Sequence, residues 1–212
     1  MIIVDKEIED RVVNYQKYSK SYEPEQAVRL IESFIKDNLQ SASYDLTISN
    51  KINIFKNQSI TLDLTDKMLI ESLNEEVDIT YGYNLSPQEY IISTLNEKIN
   101  MPKDLSAHIR PRTTFTRLGL ILVAQHINPT YSGVLSLGLY NASPYVIKLI
   151  PNIVIGQIVF EQLSGEPIEE KLYRYNTNSK YHNESGLVGS KVFSEMDIKY
   201  LDLFKDLLSK GD

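Results

Sequence analysis

The chain has 212 residues, of which 42% are hydrophobic and 24% charged, as expected for one medium-sized globular domain with its own core. The net charge of -6 argues against a general nucleic-acid surface, which normally carries a basic stripe. The lack of cysteine excludes disulfides, thiolate metal sites and cysteine nucleophiles. No apolar run approaches the roughly 20 residues of a membrane span, and the first ten residues do not resemble a secretory signal. We therefore expect a cytoplasmic protein that binds neither membranes nor nucleic acid.

The first forty residues contain two helical patterns. Ile8, Val12 and Tyr15 follow Asp5 at helical spacing and predict a short amphipathic helix. A second pattern begins at Pro24 and predicts a stronger helix, whose apolar face consists of Ala27, Ile31, Phe34 and Ile35. We expect a helical amino-terminal part over about residues 1–39.

From Ser43 onward, hydrophobic residues alternate with polar ones, as in half-buried strands. The predicted strands cover 44–48, 52–54, 60–64, 90–95, 107–110, 119–124, 134–141, 145–150 and 153–160. Many short strands at close intervals favour an all-β barrel or a double-sheet jelly roll.

Two further segments follow the predicted strands. The polar segment 173–185 is rich in tyrosine and asparagine and is interpreted as a mobile loop or arm. Residues 194–212 predict a helix, with Ser194 as its cap and acidic residues in its first turn. This helix either docks on its own domain or contacts another subunit or partner.

A cationic cluster lies near the middle of the chain, just before an apolar run, and consists of Arg112, Thr113, Thr114 and Arg117. Adjacent guanidinium and hydroxyl donors are groups that hold phosphate oxygens. No acidic residue occurs between Asp104 and Glu161 to neutralise them locally. The cluster predicts a nucleotide site, although interface salt bridges and ordinary β-forming threonines are the alternatives.

Several segments together resemble the dCTP deaminases, which share a fold with the trimeric dUTPases. In chain order these segments are 40–46, 85–87, 101–105, 112–120, 140–141, 155–157, 160–165 and 179–181. They read QSASYDL, LSP, MPKDL, RTTFTRLGL, YN, IGQ, FEQLSG and SKY. The resemblance implies a mostly β, distorted jelly-roll barrel over residues 1–193, with 194–212 as a helical extension. It also implies a homotrimer whose sites lie between subunits.

The resemblance further implies a pyrimidine deoxynucleotide ligand, with Mg²⁺ held through its phosphates and no metal held by side chains. The implied nucleotide-binding residues are Arg112, Thr113, Thr114, Arg117, Asn128, Gln157, Tyr175, Lys180 and Tyr181. Lys180 and Tyr181 would belong to a segment that closes on the phosphates, with Tyr173 or Tyr175 alongside. Asp45 would be structural, capping local backbone.

The chain departs from the family pattern at three positions. Gly138 stands where the deaminases carry the glutamate that transfers protons, and Asn128 stands where the dUTPases carry an aspartate. Glu184 replaces a glutamine, and we expect it to repel a triphosphate unless it pairs with Lys180 or an arginine. The expected function is a divergent, deaminase-like nucleotide-binding protein in which standard catalysis is absent or weak.

Other interpretations of these residues stay open. Gly138 could instead mark a bulge or a close backbone approach. We expect His126 to be a packed, hydrogen-bonded histidine, and His108 and His182 show no metal-binding pattern. The protein could also be an active dCTP deaminase or dUTP diphosphatase that uses another acid–base group, such as His126 or Glu184, or a non-catalytic regulatory protein.

Overall fold

The computed structural model describes residues 1–56, 60–62, 66–123, 125–176, 179–186, 189–191, 199–200, 202–203 and 206. Its helices are α1 (Asp5–Val13), α2 (Lys67–Ser72) and α3 (Thr113–Thr116), with 3-10 turns at Tyr15–Ser21, Lys36–Asn38 and Glu169–Lys171. Its strands are β1 (Ile31–Glu32), β2 (Leu39–Gln40), β3 (Ser43–Phe55), β4 (Asn74–Asp78), β5 (Tyr83–Leu85), β6 (Tyr90–Asn100), β7 (Leu105–Pro111), β8 (Leu120–Leu122), β9 (His126–Ile127), β10 (Ser132–Asn141), β11 (Ile147–Leu149) and β12 (Val154–Gln162).

The long strand β3 joins the two halves of a curled antiparallel sheet. Residues 44–47 of β3 pair with β12, and β7 and β9 follow on that side. Residues 48–54 pair with β6, and β10 and β8 follow on the other side. The hydrogen-bonded order is therefore β8-β10-β6-β3-β12-β7-β9, while β5 and β11 form a separate pair. This is a mostly β, jelly-roll-type barrel, as the sequence predicts.

The core fills the space that the curled sheet encloses. The alternating residues Tyr44, Leu46, Ile48 and Ile52 of β3 are fully buried there, together with apolar residues of β6, β10 and β12. Ser43, Asp45 and Thr47, which alternate with them, are buried as well, so β3 is covered on both faces over 43–48 and is not half-buried there. Residues 44–48 and 52–54, which the sequence predicts as two strands, form the single strand β3.

Helix α1 confirms the first predicted helix, and its apolar residues Ile8 and Val12 are buried. The guanidinium of Arg11, 4% exposed, holds the helix to the barrel. It donates to both carboxylate oxygens of Asp104, at 2.8 and 3.3 Å, and to Glu7 at 2.9 and 3.1 Å.

The prediction of a second helix from Pro24 is wrong. Residues 24–30 are irregular, and Ile31 pairs with Ile99 in the sheet, where both side chains are fully buried. Phe34 stacks on Tyr44 with ring centroids 5.1 Å apart. Sheet pairing and burial against β6 outweigh the helical periodicity because tertiary contacts override local propensity.

The strands predicted over 90–95, 107–110, 119–124, 134–141, 145–150 and 153–160 are confirmed with shifted ends, and residue 124 lies outside the described part. Residues 60–62 form no strand, and 63–65 are not described. Of the helix predicted over 194–212, the described residues 199–200, 202–203 and 206 are helical as expected, and the rest lies outside the described part. Among the described residues, no helix has the length and hydropathy needed to cross a membrane.

Candidate functional site

A cavity of about 490 Å³ opens between β6, β10 and the β9 region, a size that suits a small-molecule ligand. One wall is the sheet, and the other is the irregular segment that follows residue 172. The lining residues are Tyr90, Ile92, Val123, Gln125, His126, Ile127, Asn128, Tyr131, Leu135, Ser136, Gly138, Tyr173, Tyr181, Glu184, Gly189 and Ser190.

Gly138 lies in the sheet wall of this cavity, and the phenol of Tyr90 covers it. A Cβ atom placed on Gly138 would lie 2.0 Å from the Tyr90 hydroxyl oxygen and 2.6 Å from its ring carbon Cζ. Tyr90 begins the neighbouring strand, where it pairs with Tyr140. The Tyr90 ring therefore fills the space that any side chain at position 138 would need. The close approach of Tyr90 and the lack of a carboxylate at 138 go together for this reason. Sequence reasoning did not identify Tyr90 because its proximity depends on the β6–β10 register.

A chain of polar side chains leads from the surface to Asn128 at the cavity. His126 Nε2 lies 3.1 Å from Asn128 Oδ1, and His126 Nδ1 lies 3.0 Å from His108 Nε2. Since an amide oxygen only accepts, His126 Nε2 carries a proton, and in the neutral ring Nδ1 accepts from His108. Glu161 Oε1 lies 3.5 Å from His108 Nδ1. Asn128 thus keeps its NH₂ group, a donor, for a ligand.

The prediction for His126 is half right. The ring is hydrogen-bonded as expected, but it is exposed rather than packed in the core. Strand β9 pairs with β7, which places His126 directly opposite His108 at the cavity rim. The described residues include no group of three or more histidine, aspartate or glutamate side chains positioned to bind a metal ion.

Segment 173–185, which the sequence predicts as a mobile loop or arm, shows only turns and one isolated bridge at its described residues, and these are bonded to the start of β10. The Val134 amide donates to the Glu184 carbonyl at 2.8 Å, and the Asn183 amide donates to the Ser132 carbonyl at 2.7 Å. The Tyr181 amide donates to the Tyr173 hydroxyl at 3.0 Å. These bonds hold Tyr181 and Glu184 at the cavity of their own chain.

The carboxylate of Glu184 is buried, with 7% of its side chain exposed. Its cationic neighbour is Lys191, whose Nζ lies 3.4 Å from Oε1. The sequence predicted that Lys180 or an arginine would pair with Glu184, whereas Lys191 lies nearer the carboxy terminus. Burial raises the pKa of Glu184, and the charge of Lys191 offsets part of the rise. Burial, and after it the charge of Glu184, raises the pKa of Tyr131, which lines the same cavity.

The predicted phosphate-binding cluster lies outside this cavity. Arg112 precedes α3 and forms a close ion pair with Asp45 Oδ2, while Thr113, Thr114 and Arg117 are exposed on and beside α3. Asp45 therefore accepts hydrogen bonds from two side chains, the guanidinium of Arg112 and, at 3.2 Å, the side-chain amide of Gln40. The expectation that Asp45 caps local backbone is wrong.

The remaining predicted residues are also distributed away from the cavity lining. Gln157 pairs with Asp45 across the strands and accepts from the Ser43 hydroxyl at 3.0 Å. Tyr175 donates to Glu23 at 3.0 Å, and the Lys180 carbonyl accepts from Lys191. Within the chain the structure brings together Asn128, Gly138, Tyr181 and Glu184 at the cavity, and the arginine cluster does not line it.

Comparisons with known proteins agree with this fold. Residues 17–163 match the family model described as dCTP deaminase-like. The chain is 32% identical over 202 residues to the dUMP-forming dCTP deaminase of Hydrogenobaculum sp., covering 94% of this chain and 100% of that protein. It is 29% identical over 160 residues to the enzyme of the same name from Sulfurihydrogenibium sp., covering 75% of this chain and 86% of that one.

A solved structure shows the same fold. The 2′-deoxycytidine 5′-triphosphate deaminase of Agrobacterium tumefaciens superposes with a TM-score of 0.56 at 21% identity, covering 76% of this chain. This chain spans about half, 48%, of the length of that solved chain. From the extent of the model match and the identity to full-length relatives, we conclude that the chain belongs to the dCTP deaminase-like family.

Proposed function

We propose that the protein binds a pyrimidine deoxynucleoside triphosphate at subunit interfaces of a homotrimer and that it deaminates dCTP by the usual route weakly or not at all. The observation that carries the second part is the Tyr90 ring over Gly138. Relatives named as dCTP deaminases make a cytosine nucleotide the first ligand to test.

The separation of the two clusters supports a site built from more than one subunit. In one protomer the cavity holds Asn128 and Tyr181, while Arg112 and Arg117 lie near α3 outside it. The arginine cluster of a neighbouring protomer would supply the phosphate contacts, with Gln157 and Lys180 as further contacts. Mg²⁺ would be held through phosphate oxygens, since the described side chains form no cluster for it.

Deamination at cytosine C4 without a protein-bound metal needs a group that takes a proton from water and returns it to the ring. Gly138 has no such group, and the Tyr90 ring lies where a side chain at this position would be. Asn128 cannot replace the carboxylate of the dUTPases, because an amide does not accept a proton at neutral pH. Loss of general acid–base catalysis costs typically ~10²–10⁴-fold in rate.

A second candidate is an active dCTP deaminase or dUTP diphosphatase that uses His126. This imidazole lines the cavity and is linked to His108 and Glu161, an arrangement that can accept and release protons. A third candidate is a regulatory protein that keeps the nucleotide pocket without catalysis.

The test is incubation of the full chain with dCTP, dUTP or dTTP and Mg²⁺, with products separated by ion-exchange chromatography and binding measured by calorimetry. We expect binding without appreciable conversion. Rapid conversion of dCTP that is lost in His126→Gln would favour the second candidate. Absence of binding to all three nucleotides would contradict the proposed function.

A further inference from the structure

Two histidines, His108 and His126, face each other at the rim of the cavity. They are directly opposite residues on the antiparallel strands β7 and β9, so their side chains project from the same face of the sheet. His108 Nε2 lies 3.0 Å from His126 Nδ1. The two residues are 18 positions apart in the sequence, and strand pairing brings them together, which is why the sequence shows no metal-binding spacing.

The distance between the two facing nitrogens fits two ligands of one metal ion. Imidazole nitrogens bind zinc at about 2.0–2.1 Å, so two of them at right-angled or tetrahedral positions lie roughly 2.9–3.4 Å apart. The observed 3.0 Å falls within this range. His126 is exposed and 33% of the His108 side chain is accessible, so an ion can reach the pair from solvent.

Each ring also has an acceptor at its other nitrogen, as metal-bound histidines do. His126 Nε2 lies 3.1 Å from Asn128 Oδ1, which fixes the proton on Nε2 and leaves the Nδ1 lone pair directed at His108. His108 Nδ1 lies 3.5 Å from Oε1 of Glu161, on the adjacent strand β12. Both outer acceptors favour the tautomers in which the two facing nitrogens are unprotonated.

With both rings neutral, the metal-free pair leaves one nitrogen unsatisfied. His108 then donates from Nε2 to His126, and its Nδ1 presents a lone pair to the carboxylate of Glu161. This Nδ1 atom is buried and has no hydrogen-bond partner among the described residues. A metal ion in place of the shared proton lets His108 carry its proton on Nδ1 and donate it to Glu161.

We propose that His108 Nε2 and His126 Nδ1 bind a divalent transition metal ion, with Glu161 and Asn128 orienting the two rings. Neutral imidazole suits Zn²⁺, Ni²⁺ and Cu²⁺, whereas Mg²⁺ prefers oxygen ligands, so the site differs from any Mg²⁺ held through nucleotide phosphates. Two protein ligands leave the remaining coordination positions to water or to a ligand in the cavity that His126 lines. The site does not depend on the proposed nucleotide binding.

Calorimetry of the untagged, nucleotide-free full chain with Ni²⁺, Zn²⁺ or Mg²⁺ tests this site. The variants are His108→Gln, His126→Gln and Glu161→Gln. The chain has three histidines, and His182→Gln is the matched control because the third one packs near Tyr173, outside the pair. Electron paramagnetic resonance of the Cu²⁺ complex counts the bound nitrogens in the parent itself, so the test does not depend on the folding of any variant.

We expect Ni²⁺ to bind the parent with a dissociation constant on the order of 10 μM, weaker than four-ligand zinc sites, and Mg²⁺ to bind far more weakly. His108→Gln and His126→Gln should each lower the Ni²⁺ affinity about tenfold or more, and Glu161→Gln about tenfold. His182→Gln should leave it unchanged. The Cu²⁺ spectrum should show coupling to two nitrogens.

Three results would overturn the inference. They are a parent that binds neither Ni²⁺ nor Zn²⁺, an affinity that both pair variants retain, and a Cu²⁺ spectrum with fewer than two coupled nitrogens. Because no nucleotide is present, none of these results bears on the proposed function.

Discussion

At the residue scale, the relation between Gly138 and Tyr90 controls what the cavity can contain. The 2.0 Å separation between a Cβ at position 138 and the Tyr90 hydroxyl means that restoring a glutamate there requires the tyrosine to move. The two positions are neighbours on adjacent strands, so their substitutions should be strongly coupled.

We predict that Gly138→Glu alone destabilises the fold by about 1–3 kcal/mol, the usual cost of overpacking, and restores no deamination. Tyr90→Ala combined with Gly138→Glu should recover part of that loss, because the cavity left by the ring accommodates the new side chain. Denaturant unfolding of the parent, both single variants and the double variant gives the coupling energy. Additive effects would show that the ring does not block position 138.

The buried carboxylate of Glu97 couples the stability of the barrel to pH. Burial raises its pKa above the ordinary value of 4.5, although Thr47 donates to it from its amide at 3.1 Å and its hydroxyl at 2.8 Å. A raised carboxylate pKa means that the folded state binds the proton more tightly than the unfolded chain does. The free energy of unfolding should therefore fall as pH rises from 4.5 through the folded-state pKa.

We predict that Glu97→Gln flattens this part of the stability curve, since glutamine does not titrate. The slope that persists would combine a fall from Glu184, whose pKa is also raised by burial, with a rise from His182, whose pKa is lowered by burial. Urea unfolding of the parent and the variant between pH 4 and pH 8 measures the slopes, with the exposed Glu166→Gln as the matched control. A slope equal to that of the parent would contradict the prediction.

Replacement by alanine should mainly lower stability at Arg112 and mainly weaken triphosphate binding at Arg117. Arg112 neutralises Asp45, whose side chain is 7% exposed, so Arg112→Ala leaves a buried carboxylate unpaired and should cost about 1–3 kcal/mol of stability. Arg117 is exposed at the end of α3, so Arg117→Ala should weaken triphosphate binding about tenfold with little loss of stability. Thermal unfolding and calorimetry on both variants separate the effects. Unchanged affinity in Arg117→Ala would place the phosphates elsewhere.

At the element scale, α1 is attached to the barrel through Arg11. The residue is 4% exposed and links Glu7 on its own helix to Asp104 at the start of β7. Removal of one partner from a buried ion pair costs more than the pair contributes, because the other charge stays desolvated.

We predict that Arg11→Ala lowers the free energy of unfolding by about 2–4 kcal/mol, somewhat less than for a fully buried pair because Asp104 is partly exposed. Lys6→Ala, on the exposed face of the same helix, should change stability by less than about 0.5 kcal/mol. Guanidinium unfolding curves provide the comparison. Similar free energies of unfolding for the two variants would mean that the attachment of α1 contributes little to the stability of the barrel.

At the scale of the whole molecule, an apolar surface adjoins the arginine cluster. Leu118, Ile121 and Val123 are 56%, 48% and 41% exposed on and beside the edge strand β8. The Ala142 amide donates to the Gly119 carbonyl at 2.9 Å, so the loop that carries the exposed Tyr145 and Val146 begins beside this surface. An exposed apolar patch of this kind is typical of a protein interface.

We predict that light scattering gives three times the chain mass of 24.3 kDa at micromolar concentration. Ile121→Glu should shift the mass towards the monomer, because it places a charge within the proposed interface. Met68→Glu, at an apolar position on α2 that is 83% exposed, serves as the control and should leave the mass unchanged. A monomer mass for the parent would contradict both the homotrimer and the nucleotide site proposed between its subunits.

The sequence determined the strand content, the jelly-roll-type fold and the absence of a carboxylate at position 138, because these follow from alternation, motif order and residue identity. Tertiary structure decided the rest. Ile31 joined a strand because pairing with Ile99 buries it more completely than a surface helix would. The Tyr90 ring over Gly138 and the approach of His108 to His126 depend on strand register. Such long-range proximity is set by packing among distant segments, which local residue patterns do not encode.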